Sequence, residues 1–137
     1  MDLIKYPQFQ LYLFTLELLK LKNQLIPKNC DERCINSTII NRAYFSSYSF
    51  CKLWLEDMKQ FQIIHPWEFS NTPPISEHKQ IRQALSNVGE NKLKSELSRL
   101  SILRKKADYE PFMEITPQEL SDAISYMENI FNHLKFE

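Results

Sequence analysis

The chain has 137 residues, 43% of them hydrophobic and 12% aromatic, with 17 basic and 17 acidic residues that cancel to a formal net charge of zero. That length suits one domain with one core, and that composition excludes intrinsic disorder. A lone glycine excludes a turn-rich β fold and any glycine-cradled phosphate loop, which leaves helices.

The first predicted element runs from about Phe9 to Ile26. Phe9, Leu11 and Leu13 alternate as in a strand, but the length of the apolar segment decides for a helix. It carries two apolar stripes, Phe9, Tyr12, Leu16 and Leu19 on one side and Leu11, Phe14, Leu18, Leu21 and Leu25 on the other. Both need covering, so one is expected to serve a partner subunit. Pro27 stops the helix.

The second helix is expected from about Glu32 to Phe61. Ile40, Ala43, Ser47, Phe50 and Trp54 recur at helical spacing, flanked by Tyr44, Tyr48, Cys51, Leu55 and Met58. Asn41 and Arg42 are polar positions beside this core-facing strip. The following loop, "IIHPWEFSNTPP", is proline-rich and aromatic, and is expected either to drape on the surface or to serve function.

Ser76 is placed to cap a third, shorter helix that points Ile81, Ala84 or Leu85, and Val88 inward, with Gly89 closing it. The fourth helix is expected from Asn91 to Tyr109, with Leu93, Leu97, Leu100, Leu103 and Ala107 as its buried seam. Arg104 and Asp108 lie one turn apart on the flank of that seam, where their side chains can meet. Pro111 ends it. "TPQEL" then sets Thr116 at N-cap, Pro117 at N1 and Glu119 at N3 of a fifth helix, a capping box with the favoured proline. Its apolar face is Leu120, Ala123, Ile124, Met127, Ile130, Phe131 and Leu134.

Neutral overall, the chain is segregated in detail. Lys79, Arg82, Lys92, Lys94, Arg99, Arg104, Lys105 and Lys106 face only Glu90 and Glu96, a local balance of +6, and the remainder from Asp108 onward carries −6. Such a basic segment either attracts anions or packs beside the acidic helix. No apolar run reaches the roughly 18 residues that span a bilayer, and the N-terminus lacks the pattern of a secretory signal, so a cytoplasmic protein without a membrane partner is expected. Cys30, Cys34 and Cys51 have no disulfide-framework spacing. A zinc site completed by Cys51 and His65 is the weaker reading beside ordinary thiols, and no metal or cofactor is expected.

Two candidate sites stand out from the residues. Arg104 and Tyr109, near a helix end, can hold a phosphate and supply a hydroxyl; the competing reading is an Arg104–Asp108 salt bridge with Tyr109 packed in the loop. His78, in the first turn of the third helix, is kept neutral by the helix's positive end and can act as a base. His65 and His133 have no evident partner in the sequence.

The order of three stretches, "NRAYFSSYSFCKLWLE" at Asn41–Glu56, "EHKQIRQAL" at Glu77–Leu85 and "LSRLSILRKKADYEPFMEITPQELSDAI" at Leu97–Ile124, is similar to the small HEPN-domain proteins. The "LRKKADY" element is its most specific part, and the first helix matches in character alone. The resemblance implies an all-α, HEPN-like antiparallel bundle of four main helices and one shorter one, filling residues 1–137 as a single domain and forming a homodimer. For many members it implies metal-independent RNA cleavage in toxin–antitoxin or antiviral systems, in which an arginine steadies the phosphate and a histidine moves the 2′-hydroxyl proton. Arg104 falls on the arginine position and Tyr109 on the histidine position. A phenol is a poor base at neutral pH, and loss of a good general base costs about 10² to 10⁴ in rate. The resemblance therefore leaves three outcomes open: Tyr109 activated by Arg104 and the subunit pair, His78 in its place, or a domain that binds without cleaving. On the ribonuclease reading Arg104, Tyr109, Asp108 and His78 form the catalytic set, and Asn41, Arg42, Arg99, Lys105 and Lys106 contact RNA. On the other, the chain is a helper that assembles with a partner protein such as a nucleotidyltransferase antitoxin, and Tyr109 is a residue that receives a nucleotide.

Overall fold

The computed structural model describes residues 2–65 and 75–136. Five α-helices account for most of them: α1 Pro7–Leu25, α2 Glu32–Lys59, α3 Glu77–Asn87, α4 Asn91–Tyr109 and α5 Pro117–His133, with 3₁₀ turns at Leu3–Lys5 and Ile26–Lys28. Among the described residues there is no strand. The chain is an all-α helical bundle, and among the described residues no helix is long and apolar enough to cross a membrane.

Local chemistry sets the helix ends. Pro7 opens α1 at a position whose N–H would be orphaned anyway. The carboxylate of Asp31 caps α2 by accepting from the Cys34 amide at 3.0 Å, and Gln60 closes that helix in the left-handed region at φ 51°. Ser76 caps α3 through the Lys79 amide. Gly89 then turns at φ 85°, a conformation its missing Cβ permits without strain. At α5 the capping box is complete: Thr116 accepts from the Glu119 amide at 3.1 Å, and Glu119 accepts from the Thr116 amide at 2.9 Å. Thr116→Ala is expected to cost about 1 kcal/mol and about 4 °C in Tm, measured by thermal denaturation. A change under 1 °C would show that the box adds nothing beyond the packing of α5.

α2 is the central element, packed against α1, α3, α4 and α5. Both of its predicted stripes are therefore covered, and Ile39, Ala43, Phe50 and Leu55 are fully buried. They meet Ile81 and Leu85 of α3, Leu93, Leu97 and Leu100 of α4, and Ala123, Met127 and Ile130 of α5. The α5 ring of Phe131 lies 4.1 Å from Phe50 and 4.2 Å from Tyr12, both stacked, so one aromatic column links α1, α5 and α2.

α1 packs on the core mainly through its first stripe, with Leu18 and Leu25 of the second also against it. Thr15 is its single buried residue; its hydroxyl, which would otherwise be orphaned, bonds back to the Leu11 carbonyl at 2.7 Å. The second stripe leaves Phe14 57% and Leu21 43% exposed. The loop expected to be functional falls largely at residues 66–74, outside the described residues.

Candidate functional site

The flank of α4 that carries Arg104 faces α2. Its guanidinium carbon lies 5.1 Å from the Phe45 ring centre, 6.0 Å from Tyr44 and 5.5 Å from Tyr109, so three π faces surround one cation. Nε sits 2.9 Å from Asp108 Oδ2. The N–H does not point along that line, and Nε is sealed from water without a hydrogen bond, so the pair is held by charge and not by a directed bond. Neither Nη group is hydrogen-bonded to a described residue, and neither is sealed.

The same Oδ2 of Asp108 accepts from Asn41 Nδ2 at 3.0 Å, which ties α4 to α2. Asn41 Oδ1 is buried without a partner. Asp108 thus stands between two side chains, Arg104 of its own helix and Asn41 of α2. Tyr109, the last residue of α4, is 69% exposed and covers the outer edge of Arg104.

The other wall is α3. His78 lies in its first turn, and its ring stacks on Tyr48 at 4.2 Å and 12° and on Tyr44 at 5.6 Å and 9°. The Tyr44 hydroxyl and His78 Nδ1 are hydrogen-bonded to each other. Tyr48 donates to Glu77 Oε1 at 2.7 Å, and Lys52 donates to the same oxygen at 2.8 Å. Those two bonds hold the Glu77 carboxyl below its ordinary range, while burial and then the Glu77 bond push the Tyr48 phenol far up. Burial first, then the charges of Arg104 and Arg82, lower the His78 pKa. Lys105 acts in the same direction, and Glu77 opposes them. A neutral imidazole therefore stands in a field of three cations.

The structure brings Arg104, Asp108, Asn41 and Tyr109 into one cluster, and links His78 to it through Tyr44, which stands under Arg104. Other predicted residues are elsewhere. Lys106 is committed to α5, its ammonium 2.8 Å from both oxygens of Glu119. Arg99 and Arg42 are exposed and outside the cluster, five residues before Arg104 and one after Asn41, which rotates each well around its helix. Lys105 is exposed and reaches the site through its field. His133, without an evident partner in the sequence, pairs with Glu90 at 3.0 Å.

Sequence reasoning missed Phe45, Glu77, Lys52 and Arg82, and read Tyr44 and Tyr48 as core alone. One signal was there: a tyrosine on a buried stripe needs a partner for its hydroxyl, and two lie one turn apart. Cavities of about 350, 290 and 270 Å³ occur elsewhere on the molecule and include none of these residues. Among the described residues no group of three or more His, Cys, Asp or Glu side chains is placed to hold a metal; Cys30 and Cys34 are exposed, while Cys51 is buried with its thiol pKa pushed up by desolvation. Comparison with protein-family models, with curated proteins and with solved structures finds no match to this chain.

Proposed function

We propose that this chain is a HEPN-type domain that binds single-stranded RNA at the Arg104 cleft and cleaves it without a metal, as a dimer in a toxin–antitoxin or antiviral defence system. The observation that carries this reading is Arg104 itself, braced by three rings and one carboxylate while neither Nη group is hydrogen-bonded to a described residue or sealed. A forked donor held in that way suits the two non-bridging oxygens of a phosphodiester. In the reaction the 2′-hydroxyl oxygen attacks phosphorus, its proton leaves to a base, the bond to the 5′ oxygen breaks, and that oxygen is protonated. Charge builds on the non-bridging oxygens at the transition state, which is where Arg104 stabilises it. Tyr109 lies beside Arg104 and is open to a ligand. The exposed Phe14 and Leu21 stripe on α1 supports association with a second copy, as does the pattern from Asn41 to Ile124.

Labelled single-stranded RNA incubated in EDTA tests the proposal. Cleavage by the wild type and none by an Arg104→Ala, Tyr109→Phe double variant is the expected result. Intact RNA at high protein concentration removes the enzymatic reading. Light scattering is expected to give twice 16.4 kDa; a monomer at micromolar concentration removes any composite site.

One observation favours a second reading. Tyr109 is 69% exposed at a helix end, a geometry open to modification by a partner nucleotidyltransferase. On that reading the domain is a non-catalytic helper, and co-expression with the adjacent genes adds one nucleotide mass to Tyr109.

A further inference from the structure

His78 was considered above as a base. The geometry points to a different role: Tyr44 holds His78 as the tautomer that keeps its proton on Nε2, so that His78 serves the cleft as an N–H donor to a phosphodiester oxygen. This inference rests on the reading of the cleft as an RNA site, and deepens it by assigning His78 to anion recognition with Tyr44 as its positioning residue.

Nδ1 of His78 meets a buried phenol. Tyr44 is 1% exposed, and burial raises its pKa, so the phenol stays protonated across the working range. Its hydroxyl is hydrogen-bonded to His78 Nδ1. Of the two directions open to that bond, a phenol O–H is a stronger donor than a neutral imidazole N–H, and an imidazole nitrogen a stronger acceptor than a phenol oxygen, so Tyr44 gives its proton to Nδ1. In a neutral imidazole an accepting Nδ1 puts the proton on Nε2. When His78 is charged, both nitrogens carry protons and the Tyr44 oxygen accepts instead. Nε2 therefore presents N–H in either state and offers no lone pair to a 2′-hydroxyl. That nitrogen is neither hydrogen-bonded to a described residue nor sealed from water.

Rotation of the ring does not undo the assignment. Tyr48 stacks on the imidazole at 4.2 Å, and Phe45 meets it edge-on at 6.4 Å, so the plane is fixed by α2. Lys52 and Tyr48 both hold Glu77, the neighbouring carboxylate, so it is engaged from the side of α2. Arg104 and Lys105 from α4 and Arg82 from α3 supply the positive field, with Glu77 as the opposing charge. An N–H donor among three cations completes an anion site; a base there would have to accept a proton against them.

The sign of the pH dependence follows. His78's pKa lies below its ordinary 6.5, so the neutral ring's contribution to stability is complete above that pH and is lost as pH falls toward the folded value. Anion affinity moves the other way, rising over the same interval as the ring gains charge.

Imidazole ¹⁵N spectra of the whole protein test the tautomer directly, with His78 identified by its loss in His78→Gln. The expected spectrum at pH 8 has a protonated Nε2 and an accepting Nδ1, and Tyr44→Phe shifts it toward a tautomer mixture. A protonated Nδ1 in the wild type overturns the inference. The second arm uses an uncleavable 2′-O-methyl oligonucleotide: His78→Leu is expected to weaken binding about tenfold, the loss of one hydrogen bond to a charged group. His78→Gln, whose amide N–H replaces the donor, is expected to recover most of that affinity. Equal affinity of wild type and His78→Leu also overturns the inference. Should Arg104→Ala bind as well as wild type, the cleft reading fails instead, and the spectra still report the tautomer.

Discussion

Arg33→Ala is expected to lower the unfolding free energy by about 3 kcal/mol, well beyond the usual effect of a surface substitution. The Arg33 guanidinium closes the end of α4 from across the bundle. Its Nε donates to the Met113 carbonyl at 2.8 Å, Nη1 to Ala107 at 3.0 Å, and Nη2 to Glu110 at 2.8 Å and to Lys106 at 3.3 Å. The last carbonyls of a helix have no partners inside it, and they sit at the negative end of its dipole, so a fixed cationic fork satisfies both needs at once. Alanine strands the Ala107 and Met113 carbonyls, while those of Lys106 and Glu110 keep the Glu110 and Met113 amides at 3.1 and 3.0 Å, and the turn that follows loses its tie to α2. Arg33→Lys keeps the charge without the fork and is expected to recover less than half of the loss. Urea denaturation reads the effect as a fall in midpoint of about 2 M at a slope of about 1.5 kcal/mol per M. A fall below 0.3 M would mean that water replaces the arginine without penalty. On the proposed RNA reading this anchor also steadies the site, because the Lys106 and Ala107 carbonyls that Arg33 holds immediately precede Asp108 and Tyr109.

The contrast between Arg33 and the helix ends shows what a linear reading can reach. Thr116, Pro117 and Glu119 act on their own neighbours within one turn, so the box at α5 was legible, and the proline and glycine that bracket α4 made its limits legible too. Arg104 and Asp108 are one turn apart on one helix, and their pairing followed from that spacing. Arg33 bonds to backbone carbonyls up to 80 residues away, and a carbonyl has no residue type to recognise. Asn41 and Asp108 are 67 residues apart, and whether an asparagine beside an apolar strip meets a carboxylate depends on how α2 and α4 cross. The stack of Tyr48 on His78 needed α3 to close on α2, an approach set by Ile81 and Leu85 entering the core. Lys106 looked like one more cation of a basic run because Glu119, its partner, was already explained by its cap. Local signals thus located the helices, and packing decided which polar side chains became neighbours.

On the proposed ribonuclease reading, Arg104→Ala is expected to reduce RNA cleavage about 10³-fold, the scale seen when a preorganised donor to a developing oxyanion is removed. The protein should remain folded, since what the variant loses is one part-exposed ion pair without a directed bond and contacts with ring faces. Binding distinguishes a phosphate contact from a structural one. If Arg104 neutralises one phosphate, the slope of log K against log salt for a single strand falls by about 0.7 in the variant. Arg104→Lys keeps the charge and is expected to restore that slope, yet to recover cleavage only in part, because one ammonium cannot span two oxygens as the fork does. Asp108→Asn separates orientation from charge: it weakens the clamp on Nε and changes the group that Asn41 meets, so cleavage is expected to fall about tenfold while the salt slope is kept. An Arg104→Ala variant with unchanged slope and unchanged cleavage would leave the guanidinium with a purely structural task, that of filling the space between Phe45, Tyr44 and Tyr109. Neither Nη group is hydrogen-bonded to a described residue or sealed, so the side chain keeps donors available to a ligand, which packing alone does not require.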